Sequence, residues 1–451
     1  MNRARSHLMR NRREFLRHAS GCLASAAALS PWGEPRVASL PAARPKVAAI
    51  FTEFTYRSHA HVILENFLEP YLFNGRWTSP GVDVVSFYAD QLPTRDLARS
   101  VAKAYKIAIY PTIAGALCLG GKQLAVDAVL SIGEFVNYPV NAKGQREYPR
   151  KRFFDDIVDV FQRNGRVVPV FNDKHLSYRW DWAKQMYDTA VRMKIPFMAG
   201  SSVPLAQRRP PLELPPKVQV LEAVSIHGGP FEGYDFHGLE VLQSLAEFRA
   251  GGETGVSSVQ MLNGAALWKA ADDGLWSPKL ADAAMAAELG SRQPTLRELI
   301  QRPPFNTPAP WGILIRYRDG LRAIVLKIGE KHTRWNFACR LAGNPEPQAT
   351  SFYVGPWQNR NLFKALAHAI QTHFKERQAP YPLERTLLTT GILAAAVESR
   401  HQGGKSLETA HLQIAYQPRD FRALREMGAS WTIITEGMPE PAGIHPGGRR
   451  P

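Results

Sequence analysis

The sequence predicts an α/β chain in two domains. A parallel sheet covered on both faces comes first, and an α+β domain with an open, largely antiparallel sheet follows. Short apolar runs alternate with helical patterns from residue 46 to 205, and strands that alternate with helices build parallel sheets. Residues 206–415 carry strand patterns joined at Asp319-Gly320, a hairpin signal. The stretch Arg166 to Ser202 shows the strand–loop–helix–strand order most clearly.

Lys46 to Phe51 (KVAAIF) has the size of a first strand, and a helix begins near Ser58 and runs through Val62, Leu64 and Phe67. A second strand is expected over 82–87. Thr94 is the expected cap of a helix through Leu97, Val101 and Tyr105. Strands at 107–110 and 127–132 follow, then a helix with Phe153, Phe154, Ile157 and Phe161 on its apolar face. Val167 to Phe171 then reads as a buried parallel strand, broken by the polar run Asn172 to His175. Ser177 is the expected cap of the next helix, whose apolar face is Trp182, Met186, Ala190 and Met193. Five prolines between 204 and 216 mark a domain connection. Strands are expected at 217–226, 254–262, 311–317, 321–328, 333–341 and 350–354, with helices at 236–248, 362–374 and 383–399. The tail from about Glu436 is rich in Gly and Pro and is expected to be disordered. The domain reading is thus 1–45 leader and linker, 46–205, 206–415, and 416–451 as an extension.

The chain is 45% apolar and 21% charged, a globular composition. Its net charge is +16, concentrated at the start, where eight arginines face only Glu14 and Glu34 within residues 1–45. The remaining charge is scattered, without the basic face and interleaved aromatics of a nucleic-acid binder. No run of about eighteen apolar residues exists to span a membrane. Of the three cysteines, Cys118 and Cys339 read as buried thiols and Cys22 falls in the leader.

Asn11-Arg12-Arg13-Glu14-Phe15-Leu16-Arg17, followed by a short, weakly apolar stretch, looks like a twin-arginine signal. It implies export to the periplasm or beyond, with no membrane segment left after its removal. His59-Ala60-His61 resembles a metal motif, but residues two apart on a helix do not share a face, and no metal is expected.

A polar loop at the carboxyl end of a parallel strand is where such sheets place ligands, and Asp173-Lys174-His175 is such a loop. It resembles the Glu-Lys-Pro triplet of the glucose–fructose oxidoreductase and inositol dehydrogenase (Gfo/Idh/MocA) family. The segment 228–252 also resembles that family, whose Asp-x-x-x-His-x-x-Asp motif falls on Gly233, His237 and Glu240. Ala379-Pro380-Tyr381-Pro382 and its helix are similar to the family's closing segment. The resemblance implies a Rossmann-like first domain, a sugar or polyol substrate, and a homodimer through the open sheet. It makes His237 the acid–base and Lys174 the holder of a hydroxyl, about 4–8 Å apart with a ligand between them. Glu134, Asn137, Tyr138, Asp173, Asp235 and Glu240 are further candidates for the substrate cleft. The resemblance also implies NAD or NADP, yet Phe51, Glu53 and Tyr56 stand where the family has G-x-G-x-x-G. An oxidoreductase or a derivative of one is therefore expected. A non-catalytic carbohydrate-binding protein and a cofactor-free lyase or isomerase on the same cleft are the alternatives.

Overall fold

The computed structural model describes residues 43–135, 137–307 and 309–444. The twin-arginine segment and Cys22 lie outside them. The first sheet grows from β1 (Lys46–Phe51), buried from Val47 onward. After it come α1 (His59–Leu68), a hairpin of β2 (Tyr71–Phe73) and β3 (Arg76–Thr78), β4 (Asp83–Ala89) and α2 (Ala98–Tyr105). The sheet continues through β5 (Ala108–Ile109), α3 (Ile113–Cys118), β6 (Ala128–Ile132), α4 (Arg150–Asn164), β7 (Val170–Asp173), α5 (Trp180–Met193) and β8 (Phe197–Gly200). Its order is β5-β4-β1-β6-β7-β8 and every pairing is parallel. That is the doubly wound Rossmann order, whose ligand crevice opens at the carboxyl ends beside β1 and β6.

Local chemistry sets the helix ends. Ser58 caps α1, its Oγ accepting from Thr55 N at 3.1 Å and His61 N at 3.3 Å. Gly165 ends α4 in a left-handed conformation, φ 59. Two expected caps are corrected. Helix α2 begins after Leu97, not at Thr94, and α5 begins after Arg179, not at Ser177. The buried face of α5 is Ala183, Met186 and Ala190, so Trp182 lies beside it.

The second sheet has eight strands. The proline-rich connection itself supplies one edge, β9 (Gln207–Arg209). Then come β10 (Val220–His227), α6 (Gly233–Ala246), β11 (Val256–Asn263), α7 (Gly264–Asp272), α8 (Pro278–Leu289) and α9 (Leu296–Leu299). The rest are β12 (Trp311–Tyr317), β13 (Arg322–Lys327), β14 (Trp335–Leu341), β15 (Gln348–Tyr353), α10 (Asn359–Glu376), α11 (Leu383–His401) and β16 (Leu407–Glu408). The order is β16-β11-β12-β13-β10-β14-β15-β9, antiparallel except between β10 and β13. One face packs on α6 and α11 through Phe236, Leu242, Leu388 and Ile392.

The other face is not bare. Leu267, Trp276, Leu280, Ala284 and Met285 of the α7–α9 segment bury Val224, Ile226, Ile324 and Ala338 of the sheet. The expected open face is thus covered by the chain's own helices. Helix α10 packs on α1, with Phe363, Leu366 and Phe374 in one core with Val62 and Phe67. The tail is also corrected, because it is packed as far as Ile444. Glu436 accepts from Tyr353 Oη at 2.6 Å, Glu440 accepts from Tyr56 Oη at 2.9 Å, and Ile444 is buried. Among the described residues no helix is long and apolar enough to cross a membrane. Cys118 and Cys339 are buried free thiols.

Phe51 closes β1 with its ring fully buried, edge-on to Phe54 at 5.6 Å and to Phe87 at 5.3 Å. Phe51→Ala is expected to lower unfolding stability by about 3–5 kcal/mol, measured by urea titration.

Glu232 caps α6 from a left-handed backbone, φ 65. Its carboxylate accepts from Arg146 N at 3.0 Å and Gln145 Nε2 at 3.3 Å, and the Asp235 carboxylate accepts from Glu232 N at 2.8 Å. Burial outweighs these donors and pushes Glu232 up from 4.5 to about 7. The folded state therefore keeps a proton that the unfolded chain releases earlier. This contribution is fully present below pH 4.5 and is lost as pH rises through about 7. Glu232→Gln should remove a pH dependence worth about 3 kcal/mol. Urea midpoints at about pH 5 and about pH 8 would then differ less in the variant than in the parent.

Candidate functional site

Strand β7 ends between β6 and β8, with Asp173 opposite Gly200. Lys174 then takes a left-handed backbone, φ 72, held by Lys174 N donating to Gly200 O at 3.1 Å. Such a conformation costs a non-glycine residue about 1–3 kcal/mol and is kept where the surroundings dictate it. The carboxyl ends of β1, β6 and β7 lie side by side, so the chain segments after them converge. They bring His59, Glu134 and Lys174 to one cavity edge, with Asp173 buried behind it.

Lys174 Nζ touches His237 Nε2 directly and stands 3.4 Å from Glu134 Oε1. The two side chains are in direct contact, nearer than the roughly 4–8 Å expected around a bound ligand. An ammonium offers only donors, so His237 Nε2 is the acceptor and its proton sits on Nδ1. Nδ1 faces Ser201 Oγ at 2.5 Å, and that oxygen also accepts from Val203 N at 3.1 Å. Burial, then the Lys174 charge, hold His237 well below its ordinary 6.5, so the ring is neutral.

Glu134 is tied on its other side to Arg150 Nη2 at 2.7 Å. Burial alone would raise its pKa, but the charges of Lys174 and Arg150 prevail and bring it down to about 2. Arg150 is itself buried and donates to His175 Nε2 at 3.1 Å. Gly133 makes room for it, since a Cβ there would lie 2.7 Å from Arg150 Cγ. Burial and the Arg150 charge keep His175 well below its ordinary value.

On the other side of the strand end, Asp173 Oδ2 accepts from His59 Nδ1 at 2.5 Å. His59 packs against Phe363 and Phe135, with ring centroids at 4.6 and 5.3 Å. The cavity these groups share has about 230 Å³, and Arg57, Tyr234, His332, Trp335, Gln358 and Asn359 complete its polar wall. A larger groove of about 800 Å³ lies between the 141–147 loop and α11. Its Lys143 and Glu398 pair with each other, as do Arg179 and Asp181, all partly exposed to water.

Of the sequence candidates, Lys174, His237, Glu134 and Asp173 meet here, Asp173 behind His59. The others do not. Asn137 is exposed. Tyr138 turns away to donate to Asp90, which also accepts from Tyr88 Oη and Arg152 Nη2 at 2.6 Å each. Asp235 is fully buried, accepting from Glu232 N, from Trp311 Nε1 at 2.8 Å and facing His227 Nε2 at 3.0 Å. Glu240 is fully buried as well, accepting from Thr389 Oγ1 at 2.8 Å beside Arg385. Neither carboxylate lines the cavity. In the sequence His59 stands out only through its metal-like motif, and the signal that places it beside Asp173 is strand order: β1 and β7 flank β6. Among the described residues no group of three or more His, Cys, Asp or Glu is placed to hold a metal.

The turn after β1 uses its own amides. Thr52 N donates to Ile132 O at 3.1 Å, Thr55 N to Ser58 Oγ, Arg57 N to His61 Nδ1 at 3.3 Å, and Ser58 N to Thr55 O at 3.0 Å. Phe51 lies in the core, Glu53 accepts from Thr55 Oγ1 at 2.9 Å, and Tyr56 donates to Glu440. Glu440 is also paired with Arg57 and Arg360.

No family model matches the chain, and no curated protein matches it. Solved structures do. The myo-inositol dehydrogenase of Lactobacillus casei, in complex with NAD(H) and myo-inositol, has a TM-score of 0.50 at 13% identity, covering 81% of this chain and 97% of that one. A myo-inositol dehydrogenase of Corynebacterium glutamicum gives 0.49 at 11%, covering 81% and 99%. The scyllo-inositol dehydrogenase of Lactobacillus casei gives 0.48 at 9%, covering 81% and 98%. The likeness to the first of these is one of fold: a Rossmann sheet followed by a mixed-sheet domain.

Proposed function

We propose that this chain is an enzyme of oxidoreductase-like fold that acts on a sugar or polyol in the cavity around Lys174. His237 is its acid–base group, and Lys174 holds and polarises a substrate hydroxyl or carbonyl. The observation that carries the reading is the Lys174–His237 contact at the edge of a 230 Å³ polar cavity. A neutral imidazole beside an ammonium is a proton acceptor next to a group that stabilises negative oxygen. A dehydrogenase of similar fold was solved with myo-inositol bound, which supports a polyhydroxylated substrate. The cavity is smaller than the roughly 300 Å³ at which drug-sized ligand pockets begin, in keeping with one small ring.

The residues after β1 do not fit a nicotinamide dinucleotide in the usual pose. A phosphate cradle needs free backbone N–H groups at a helix start, and four in this turn are bonded within the protein. The Glu53 carboxylate, which lies within this turn, would repel the pyrophosphate. The chemistry proposed here is therefore proton transfer. Titration with NADH followed by fluorescence should show no saturation at low micromolar concentration. Mass spectrometry of small molecules released from the purified protein should find a sugar or polyol; nicotinamide in that fraction would sink the reading. His237→Gln should lower kcat/KM by about 10²–10⁴-fold, with an unchanged circular dichroism spectrum.

Export by the twin-arginine route belongs to the same proposal and rests on the NRREFLR pattern. Replacing Arg12 and Arg13 together with lysine should leave the precursor in the cytoplasm, read by fractionation and immunoblot. Undiminished export of that variant would count against it.

A further inference from the structure

We propose that His59, backed by Asp173, is a second catalytic residue: the acid that protonates a substrate oxygen while His237 takes the proton of the neighbouring carbon. The inference rests on the cavity assignment above and goes beyond it in naming the second group and the reaction class. The substrate class is an α-hydroxy carbonyl compound, such as a keto sugar or an inosose, and the chemistry is redox-neutral enolisation.

The argument begins with two consecutive residues. At the end of β7, Asp173 binds one histidine and Lys174 touches another, and both rings line the same cavity. Their electrostatic settings are opposite. His237 faces an ammonium through Nε2 and a hydroxyl through Nδ1, so the cation disfavours a second positive charge on that ring. His59 has a carboxylate with 2% exposure behind Nδ1, and a carboxylate in that position stabilises an imidazolium and fixes its tautomer. With Nδ1 given to Asp173, Nε2 is the His59 nitrogen left for a ligand. Phe363 and Phe135 hold the ring edge-on and tilted.

The step balances without a co-reactant. The C–H bond next to the carbonyl breaks and its proton goes to His237 Nε2. The electron pair of that bond forms the carbon–carbon double bond, the carbonyl π pair takes the proton of His59 Nε2, and an enediol results. Lys174 gives up Nε2 to the substrate and keeps Glu134, 3.4 Å away, as its counter-charge. Asp173 touches no substrate and is a positioning residue.

The test uses the purified protein in D2O with two probes, 2-keto-myo-inositol and D-fructose, followed by NMR and mass spectrometry. The parent should place deuterium on the carbon next to the carbonyl of at least one probe. His59→Ala should slow this by about 100-fold or more, and added imidazole should restore part of the rate. Asp173→Asn, which keeps an acceptor for Nδ1, should lower kcat and leave KM unchanged. His59→Gln serves as the second variant where the alanine variant melts early. Wash-in at the parental rate in a folded His59 variant overturns the role of His59 and leaves that of His237 standing. No wash-in by the parent with either probe overturns the base reading of His237, and this inference with it.

Discussion

Arg385 lies in α11 with no exposed surface, between Glu247 Oε1 at 3.2 Å and Glu240 Oε2 at 3.8 Å, its guanidinium stacked 3.6 Å from the Tyr381 ring. Both carboxylates belong to the α6 region, so this cluster fixes how α6 lies on α11. Taking one partner away would strand a buried charge, at a cost of about 3–5 kcal/mol. Glu240 also accepts from Ser201 N at 3.4 Å, and Ser201 Oγ is the partner of His237 Nδ1. The His237 ring therefore inherits its position from a charge cluster one helical turn behind it. Gly200 is part of the same fit, for a Cβ there would lie 2.9 Å from Glu240 Oε2, on a backbone with φ +133 that disfavours side chains.

Around the strand end the charges alternate. Lys174 lies between His237 and Glu134, Glu134 between Lys174 and Arg150, and Arg150 beside His175. In a low-dielectric interior each unpaired member would be costly, so the chain of pairs holds only as a whole. It also divides the labour. Glu134 is kept ionised at any ordinary pH, which leaves it a fixed counter-charge and not a proton carrier. The neutral rings of His237 and His175 are at the two ends of the chain, and of these only His237 lines the cavity.

How much of this was legible in the sequence depends on the reach of each signal. Lys174 and His237 were legible because each sits in a local motif whose position on a strand end or helix start follows from a few neighbours. The parallel sheet was legible for the same reason, through alternating apolar runs. Glu240 was the right residue in the wrong role, since nothing local tells that an arginine 145 residues later will take its carboxylate. Tyr138 and Asn137 follow a strand's carboxyl end, as Glu134 does, but the loop turns within three residues and Asp90 captures the tyrosine. The α7–α9 helices were missed because their alanine-rich faces, such as Ala281, Ala284 and Met285, give weak periodicity. Their burial becomes evident only against the sheet they cover.

His59 shows the limit most clearly. At the first position of a helix its only local motif is the pair with His61, which points to a metal that two residues on different helix faces could not share. Its meaning comes from topology. In the order β1-β6-β7 two strand ends separated by one strand are about 10 Å apart, a gap that a histidine and an aspartate reaching towards each other can close. The strained backbone at Lys174 completes the arrangement. By turning left-handed straight after Asp173, the chain sets two consecutive side chains on two different partners, which an extended strand would send to opposite faces of the sheet. The strain is held by the Gly200 bond and by burial, so the cavity's charges are in place before any ligand arrives.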